Sequence, residues 1–336
     1  MRCRDRSPGV RRRWPVLLLV LVVVSVTVNL WQWWGGRDRI GQWRGADALA
    51  GYTRAYDAAM AGMPTPTEVR DVPVSYGTVR AYLFAPADPE RAARTPIVLL
   101  PGWGSGTPMW STNLPGLVAQ RPVWAFDAIG DAGMSVQSAP IPEAVDQAIW
   151  VDETLAGLGV ERAHIVGHSF GGWLATNLAV HRPQRVASLA LLEPVQVVTG
   201  LRWQVIVSSI PATLPVLPQS WRDAALADIG GAESIDRDDP VTAMIAAGTA
   251  GYQPRRSFPA RPSDAQLRAL SMPVLLVMAG DSAVNSDPAG AVDRAYTLIP
   301  EVTASVVPGA THSLPMEQPG SIDAAILDLA RDADRR

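Results

Sequence analysis

The 336-residue sequence contains no lysine and only one cysteine. Because that residue, Cys3, lies near the N-terminus, the rest of the chain can form neither a disulfide nor a thiolate metal site. Histidine is also scarce, with four in total. These histidines do not cluster with carboxylates at the spacing typical of metal ligands. We therefore predict neither a metal nor an organic cofactor.

The chain also lacks a strong excess of charge. Its formal net charge is −3, and all 29 basic residues are arginines. Outside the N-terminus these arginines form no run, whereas binding of nucleic acid requires a basic face that neutralises phosphates. Nucleic acid is therefore excluded as an expected partner. The replacement of lysine by arginine is typical of a GC-rich genome, such as that of many bacteria.

One long apolar run stands near the N-terminus. Residues 14–34 are almost entirely apolar and end with three tryptophans, and residues 1–13 contain six arginines. About 17 to 20 apolar residues can span a bilayer as a helix. Tryptophans suit the membrane interface, and arginines remain on the cytoplasmic side. We therefore predict a cytoplasmic tail, a transmembrane anchor and an extracytoplasmic remainder. The alternative is a signal peptide, with secretion after cleavage, although no small-residue cleavage site is evident.

After the anchor, a helical linker is predicted over residues 35–66, followed by alternating strand and helix patterns. This alternation predicts an α/β fold with a mostly parallel sheet and right-handed crossovers. We assign residues 67–193 and 272–336 to the core and the mainly helical residues 194–271 to a cap or lid. An ordinary surface excursion is the alternative for that insertion. The predicted strands are 68–75, 78–84, 96–100, 123–126, 164–167, 186–192, 273–278 and 303–307, and the predicted core helices are 143–158, 289–298 and 322–331.

A Gly-x-Ser-x-Gly motif at Gly167–Gly171 follows a short apolar run and precedes a helical pattern. This arrangement can hold Ser169 on a strained strand-to-helix turn, with its hydroxyl exposed and its backbone at a helix N-terminus. The alternative is a glycine-rich turn that only allows a helix to pack closely on a sheet. We predict Ser169 as a nucleophile.

A serine nucleophile requires a base, and the four histidines allow a choice by elimination. His164 lies in the predicted strand before the motif. His168 directly precedes Ser169, and we expect its side chain to point away from the nucleophile. His181 ends a helix, where a surface position is expected. His312 follows the last predicted strand on a loop, and we predict it as the base; a solvated loop histidine is the alternative.

Three carboxylates are candidates for the acid that orients this base. Asp281 follows the hydrophobic strand at 273–278 and is the first choice, although it could instead cap a turn. Glu193, directly after the strand at 186–192, is the alternative acid, and Asp287 is a third candidate.

Together these motifs resemble the α/β-hydrolase superfamily over roughly residues 68–332. The matching residues are Gly167–Gly172, Asp281 and His312, in the family's order of nucleophile, acid and base. The resemblance implies an α/β-hydrolase fold, with a mostly parallel sheet flanked by helices. Residues Leu100–Gly104 resemble the loop after the third strand, which supplies half of an oxyanion hole. A further match to the family's Asp-x-x-Gly stretch comprises Phe126, Asp127, Gly130, Gly133 and Ser135.

Carried over from the family, the backbone amides of Trp103 and Phe170 would form the oxyanion hole. The resemblance predicts a serine hydrolase that acts on a carboxylic ester through an acyl-enzyme. The anchor and the tryptophans favour a lipophilic ester. Trp103, Trp110 and Trp203 can line the pocket or pack in the core. Alternatives are an acyltransferase, a perhydrolase or an amidase with the same triad, and a non-catalytic binding protein with this fold.

Overall fold

The computed structural model describes residues 40–214, 216–255 and 258–336. The predicted cytoplasmic tail at 1–13 and the predicted anchor at 14–34 lie outside these residues. Among the helices of the described ranges, none is both long enough and apolar enough to cross a bilayer.

A mixed β-sheet forms the centre of the molecule. Its strands follow the order β11-β10-β8-β7-β4-β5-β3-β2, and β6 pairs with β3 beside this path. The pairings from β11 to β5 are parallel, whereas β3 is antiparallel to β2, β5 and β6. The strands are β1 (Gln42–Trp43), β2 (Glu68–Val74), β3 (Gly77–Phe84), β4 (Ile97–Leu100), β5 (Val123–Phe126), β6 (Val136–Gln137), β7 (Ala163–His168), β8 (Val186–Leu192), β9 (Tyr252–Gln253), β10 (Val274–Ala279) and β11 (Val302–Val307).

Helices cover both faces of the sheet, as expected for parallel strands that are apolar on both sides. Helices α4, α5 and α10 contribute to the apolar core on one face, and α1, α3 and α12 contribute to the core on the other. The helices are α1 (Ala46–Ala61), α2 (Pro89–Ala92), α3 (Leu114–Val118), α4 (Ala144–Gly157), α5 (Phe170–His181), α6 (Trp203–Thr213), α7 (Gln219–Gly230), α8 (Pro240–Gly251), α9 (Asp264–Arg268), α10 (Pro288–Leu298), α11 (Leu314–Glu317) and α12 (Pro319–Asp334).

The segment between β8 and β10 contains helices α6 to α9 and the short strand β9. Strand β9 pairs antiparallel with β1, which the sequence patterns did not predict. Helix α1 packs against α8. The segment that contains β1 and α1 therefore packs against the segment between β8 and β10 as well as against the sheet.

The topology brings the predicted site residues together. Strands β7, β8, β10 and β11 are neighbours and run parallel, so their C-terminal ends meet at one edge of the sheet. Ser169, Glu193, Asp281 and His312 all follow the ends of these strands. In open α/β sheets this edge carries the ligand crevice.

Candidate active site

Ser169 occupies the sharp turn between β7 and α5. Its backbone has φ 53° and ψ −118°, in a region that residues with a Cβ rarely adopt. The turn requires small neighbours: a Cβ at Gly171 would overlap the carbonyl oxygen of Leu100, and a Cβ at Gly167 would overlap the backbone of Gly171. The glycines of the motif therefore allow the strand, the helix and β4 to meet around a strained serine.

Ser169 and His312 are within hydrogen-bonding distance of each other. The Oγ atom of Ser169 lies 2.9 Å from Nε2 of His312, which is on the loop after β11. Both residues are buried. This separation suits proton transfer from the hydroxyl to the imidazole. The structure thus brings together the predicted nucleophile and the predicted base.

Glu193, rather than Asp281, lies against the other imidazole nitrogen. Its Oε2 atom is 3.0 Å from Nδ1 of His312, and its side chain is fully buried. Asp281, the first choice from the sequence, is exposed on the loop after β10, where its backbone N–H donates to the carbonyl oxygen of Ala310. Asp287 caps α10 by accepting a hydrogen bond from the Gly290 amide. The structure therefore places the alternative candidate, Glu193, beside His312, and the first choice, Asp281, away from it.

The Glu193 carboxylate is held by four donors. Its Oε1 accepts from the Ala279 amide at 2.7 Å, and its Oε2 accepts from Ser282 Oγ at 2.7 Å and Asn285 Nδ2 at 3.0 Å, besides facing His312. Burial raises the pKa of this carboxyl, but the hydrogen bonds and the charge of His312 outweigh burial and lower the pKa below its ordinary value. Glu193 is therefore ionised at neutral pH and can stabilise an imidazolium.

The loop after β10 was expected to supply the acid, Asp281. Instead it supplies two side chains that bind Glu193. Ser282 and Asn285 are buried on this loop, and sequence reasoning missed both. Besides binding Glu193, the Ser282 hydroxyl accepts hydrogen bonds from the amides of Val284 and Asn285. Two polar residues close behind a buried strand are the signal that could have identified them.

His168 contacts the backbone of His312, the predicted base, and the sequence did not predict this contact. Its Nε2–H donates to the carbonyl oxygen of His312 at 2.8 Å, and the two ring centroids lie 5.0 Å apart. Burial, together with the nearby charge of His312, lowers the pKa of His168 to about 3. His168 is therefore a neutral donor that fixes the loop carrying His312.

The loop after β4 packs against the nucleophile. The loop approaches Ser169 closely at Gly102, where an added Cβ would lie 3.4 Å from the Cβ of Ser169. Trp103 is the next residue of this loop. Phe170 is the first residue of α5, and its ring centroid lies 6.3 Å from that of Trp103. The two residues with the predicted oxyanion-hole amides thus flank Ser169.

Two buried aspartates accept hydrogen bonds from the loop after β4. Asp131 Oδ2 accepts from the Gly104 amide at 3.0 Å. Asp127 Oδ1 accepts from both the amide and the hydroxyl of Thr107, and its Oδ2 accepts from the Met134 amide. The Asp127 stretch that resembles the family pattern therefore supports the loop after β4.

The three tryptophans named from the sequence occupy different environments. Trp103 is half exposed beside Phe170, Trp110 is fully buried in the core, and Trp203 is exposed on α6. Of the three, Trp103 is the one whose ring lies beside that of Phe170, the residue after Ser169.

The other two histidines have separate surroundings. His164 lies in β7, with Nδ1 2.9 Å from Ser188 Oγ and Nε2 3.1 Å from Asp334 Oδ1. His181 ends α5 at a partly exposed position. Within residues 40–214, 216–255 and 258–336, no group of three or more His, Cys, Asp or Glu side chains is arranged to hold a metal ion.

Comparison with known proteins extends these observations. A sequence model described as "Alpha/beta hydrolase family" matches residues 97–325. The carboxylesterase YbfK of Bacillus subtilis is 27% identical over 295 residues, which cover 83% of this chain and 93% of that protein. The uncharacterized carboxylesterase nap of the same organism is 25% identical over 278 residues, covering 82% and 91%.

Solved structures show the same similarity. The crystal structure of carboxylesterase CesB (YbfK) from Bacillus subtilis aligns with a TM-score of 0.76 and 25% identity, covering 84% of this chain and 98% of that one. A membrane phospholipase A aligns with a TM-score of 0.64 at 19% identity, covering 95% and 99%. The second similarity concerns the fold alone.

Proposed function

Because this chain belongs to the alpha/beta hydrolase family, we propose that it hydrolyses carboxylic esters with Ser169, His312 and Glu193 as its catalytic triad. The chain is a carboxylesterase-like hydrolase, as its relatives and structural neighbours indicate. The observation that carries the triad is the continuous series of contacts from Ser169 Oγ to His312 Nε2, and from His312 Nδ1 to Glu193 Oε2.

The proposed reaction starts with attack of Ser169 Oγ on the carbonyl carbon of the ester. His312 Nε2 accepts the hydroxyl proton as the Oγ–C bond forms, and the ionised Glu193 stabilises the resulting imidazolium. The tetrahedral intermediate collapses when the C–O bond to the alcohol breaks and His312 returns the proton to the leaving oxygen. Water then attacks the acyl-enzyme with His312 as base again, which releases the carboxylic acid and restores Ser169.

We further propose the backbone amides of Trp103 and Phe170 as the oxyanion hole. Two features support this assignment: the close approach of the loop at Gly102 to Ser169 and the position of Phe170 at the start of α5. A helix N-terminus favours negative charge, and loss of one such donor typically costs about 100- to 1000-fold in rate.

For the wider organisation we propose a cap formed by residues 194–271 and an anchor formed by residues 14–34, with the catalytic part outside the cytoplasm. Cys3, the sole cysteine, offers a test of orientation. A membrane-impermeant maleimide should leave Cys3 unlabelled in intact cells and label it after permeabilisation. Labelling in intact cells would contradict the proposed orientation, and absence of Cys3 from the mature chain would indicate a cleaved signal peptide.

A fluorophosphonate probe tests the catalytic assignment. Wild-type protein should become labelled at Ser169, and Ser169→Ala should not. A series of p-nitrophenyl esters of increasing acyl length, assayed beside matched amides, then defines the substrate class. A folded wild type that neither reacts with the probe nor cleaves any ester would refute the proposal and favour a binding protein. Faster cleavage of the amides would favour an amidase.

A further inference from the structure

Helix α6 presents an apolar stripe to solvent. Trp203, Val207 and Leu214 are 70%, 56% and 38% exposed and follow one another at intervals of four and seven residues. Such spacing places side chains along one side of a helix and its end. Val205 and Ala212 are buried on the other side. Helix α6 therefore carries apolar side chains on its exposed side as well as on its buried side.

The stripe continues into the turn between α6 and α7. Val216 is 88% exposed in this turn, and Trp221 is 61% exposed in the first turn of α7. We name Leu214, Val216 and Trp221 the hairpin tip. Single exposed apolar residues are ordinary, but a cluster of large ones indicates an interaction surface.

The hairpin tip lies beside the point where the N-terminal segment joins the described structure. Arg44 Nη2 donates to the carbonyl oxygen of Thr213, directly before Leu214, and its Nε donates to the carbonyl oxygen of Ala250; both distances are 3.0 Å. The predicted anchor ends at residue 34, ten residues before Arg44. Ten residues span at most about 36 Å even when fully extended. In an anchored chain, Arg44 therefore lies within about 36 Å of the end of the anchor, and the hairpin tip lies next to Arg44.

Further arginines accompany Arg44, either in space or in the sequence. Arg255 follows β9, near Arg44, and burial together with the charge of Arg255 lowers the pKa of Arg44. Arg37 and Arg39 lie in the sequence between the predicted anchor and Arg44. Arginines next to exposed tryptophan and aliphatic side chains suit a bilayer interface with anionic headgroups.

We infer that the hairpin tip docks on the lipid surface of the membrane that holds the predicted anchor. This inference rests on the anchor in the proposed function. It also bears on the site, because Arg202, before α6, donates to the carbonyl oxygens of Val284 and Asn285 in the loop that supports Glu193. At the other end of the hairpin, the carbonyl oxygen of Gly230 accepts from Thr311 and Ser313, on either side of His312. A docked hairpin therefore holds the catalytic loops close to the bilayer, where a lipophilic ester would be taken up.

Fluorescence of single labelled cysteines tests the docking directly. In full-length protein with Cys3→Ser, Val216→Cys carries an environment-sensitive fluorophore, and the protein is reconstituted in phosphatidylcholine–phosphatidylglycerol vesicles containing nitroxide lipids. Val69→Cys is the matched control, because Val69 is also an exposed valine, at 49%, on edge strand β2. We expect a blue shift and at least twofold stronger quenching at position 216 than at position 69. Equal quenching at both positions would overturn the inference.

Other occupants of the tip would give different results. A blue shift at position 216 that depends on protein concentration and occurs without vesicles would indicate a second copy of the chain and would overturn lipid docking. Failure of the protein to float with the vesicles would overturn it as well, since the tether would be absent. Neither result depends on catalysis.

An activity measurement adds an independent readout. For Val207→Asp/Val216→Asp, we expect hydrolysis of a long-chain ester embedded in vesicles to fall roughly tenfold, because charges replace apolar groups at the interface. Hydrolysis of a water-soluble short-chain ester should remain unchanged, as for the control Val69→Asp. Equal loss on both esters would contradict a docking role. Absence of hydrolysis in the wild type would refute the proposed function and leave the quenching result to decide the docking.

Discussion

Glu193 Oε2 lies 3.0 Å from His312 Nδ1, although 119 residues separate the two in sequence. Glu193 directly follows β8, and its backbone is in the left-handed region, with φ 47°. Its amide donates to the carbonyl oxygen of Val277 in β10, and its carboxylate accepts from the amide of Ala279 at the end of the same strand. The neighbouring strand thus fixes both the backbone and the side chain of Glu193.

We predict that Glu193→Gln lowers kcat for a p-nitrophenyl ester by about 1000- to 10,000-fold, because the neutral amide cannot stabilise the imidazolium and can favour the wrong tautomer. Asp281→Asn should change kcat less than about threefold, since Asp281 is exposed and its substitution leaves the Glu193 contacts intact. Steady-state kinetics give both values, with circular dichroism to verify the fold. The reverse order of effects would restore Asp281 as the acid.

The glycines of the nucleophile turn provide a prediction about stability. A Cβ at Gly171 would overlap the backbone of Leu100 and Pro101, so Gly171→Ala should lower the free energy of unfolding by about 3 kcal/mol or more. Gly320→Ala is the matched control, because Gly320 is likewise the second residue of a helix but has open space at its Cβ position. That change should leave stability unaltered or raise it by about 0.5 to 1 kcal/mol. Urea unfolding measures both, and similar losses in the two variants would contradict the packing argument.

The sequence was sufficient to predict the sheet and the sharp turn at Ser169 because both depend on local patterns. Short apolar runs bounded by turns coincide with the buried strands β4, β5, β7, β8 and β10. The first two predicted strands, 68–75 and 78–84, are present as the antiparallel pair β2 and β3. The turn at Ser169 could be identified because its glycine neighbours are a direct consequence of the tight backbone geometry.

The acid could not be chosen from the sequence because the choice depends on contacts between separate strands. Both Glu193 and Asp281 follow apolar strands that end at the same edge of the sheet. What separates them is the direction of each carboxylate, and the donors that set it for Glu193 lie about 90 residues away at Ser282 and Asn285. The pairing of β1 with β9 was missed for a related reason, since two-residue strands carry no periodicity.

His168 is predicted to act as a positioning residue. His168→Phe removes the donor to the His312 carbonyl oxygen and should lower kcat by about 10- to 100-fold with little change in KM, because a displaced base affects the reaction more than binding. His168→Gln retains an N–H donor of similar reach and should recover much of this loss. Equal losses of activity in both variants, or a main effect on KM, would contradict the positioning role.

The same residue makes a prediction about pH. Because the pKa of His168 is lowered to about 3, it remains neutral throughout the range from pH 5 to 9. Its replacement by glutamine should therefore change the height of the pH–kcat/KM profile without moving its inflections in that range. An inflection that disappears in His168→Gln would show that His168 itself titrates during catalysis.

Asp323, on α12, should make the stability of the protein decrease as pH rises from about 4 to 6. The residue is buried, and although its Oδ1 accepts from Asn113 Nδ2 at 2.9 Å, burial dominates and raises its pKa to about 6. In the unfolded chain an aspartate has a pKa of about 3.9. Between these values the folded state retains a proton that the unfolded state releases, so each rise in pH favours unfolding. Above pH 6 the full cost of the buried charge is present.

Asp323→Asn removes this cost while keeping an acceptor for Asn113. The variant should exceed the wild type in free energy of unfolding by about 1 to 3 kcal/mol at pH 7.5, and the difference should fall close to zero at about pH 3, where most of the wild-type carboxyl is protonated in both states. Urea unfolding at the two pH values measures the difference, with the exposed Asp281→Asn as the control. A difference that is the same at both pH values would mean that Asp323 does not titrate between them, and that the amide acts through packing instead.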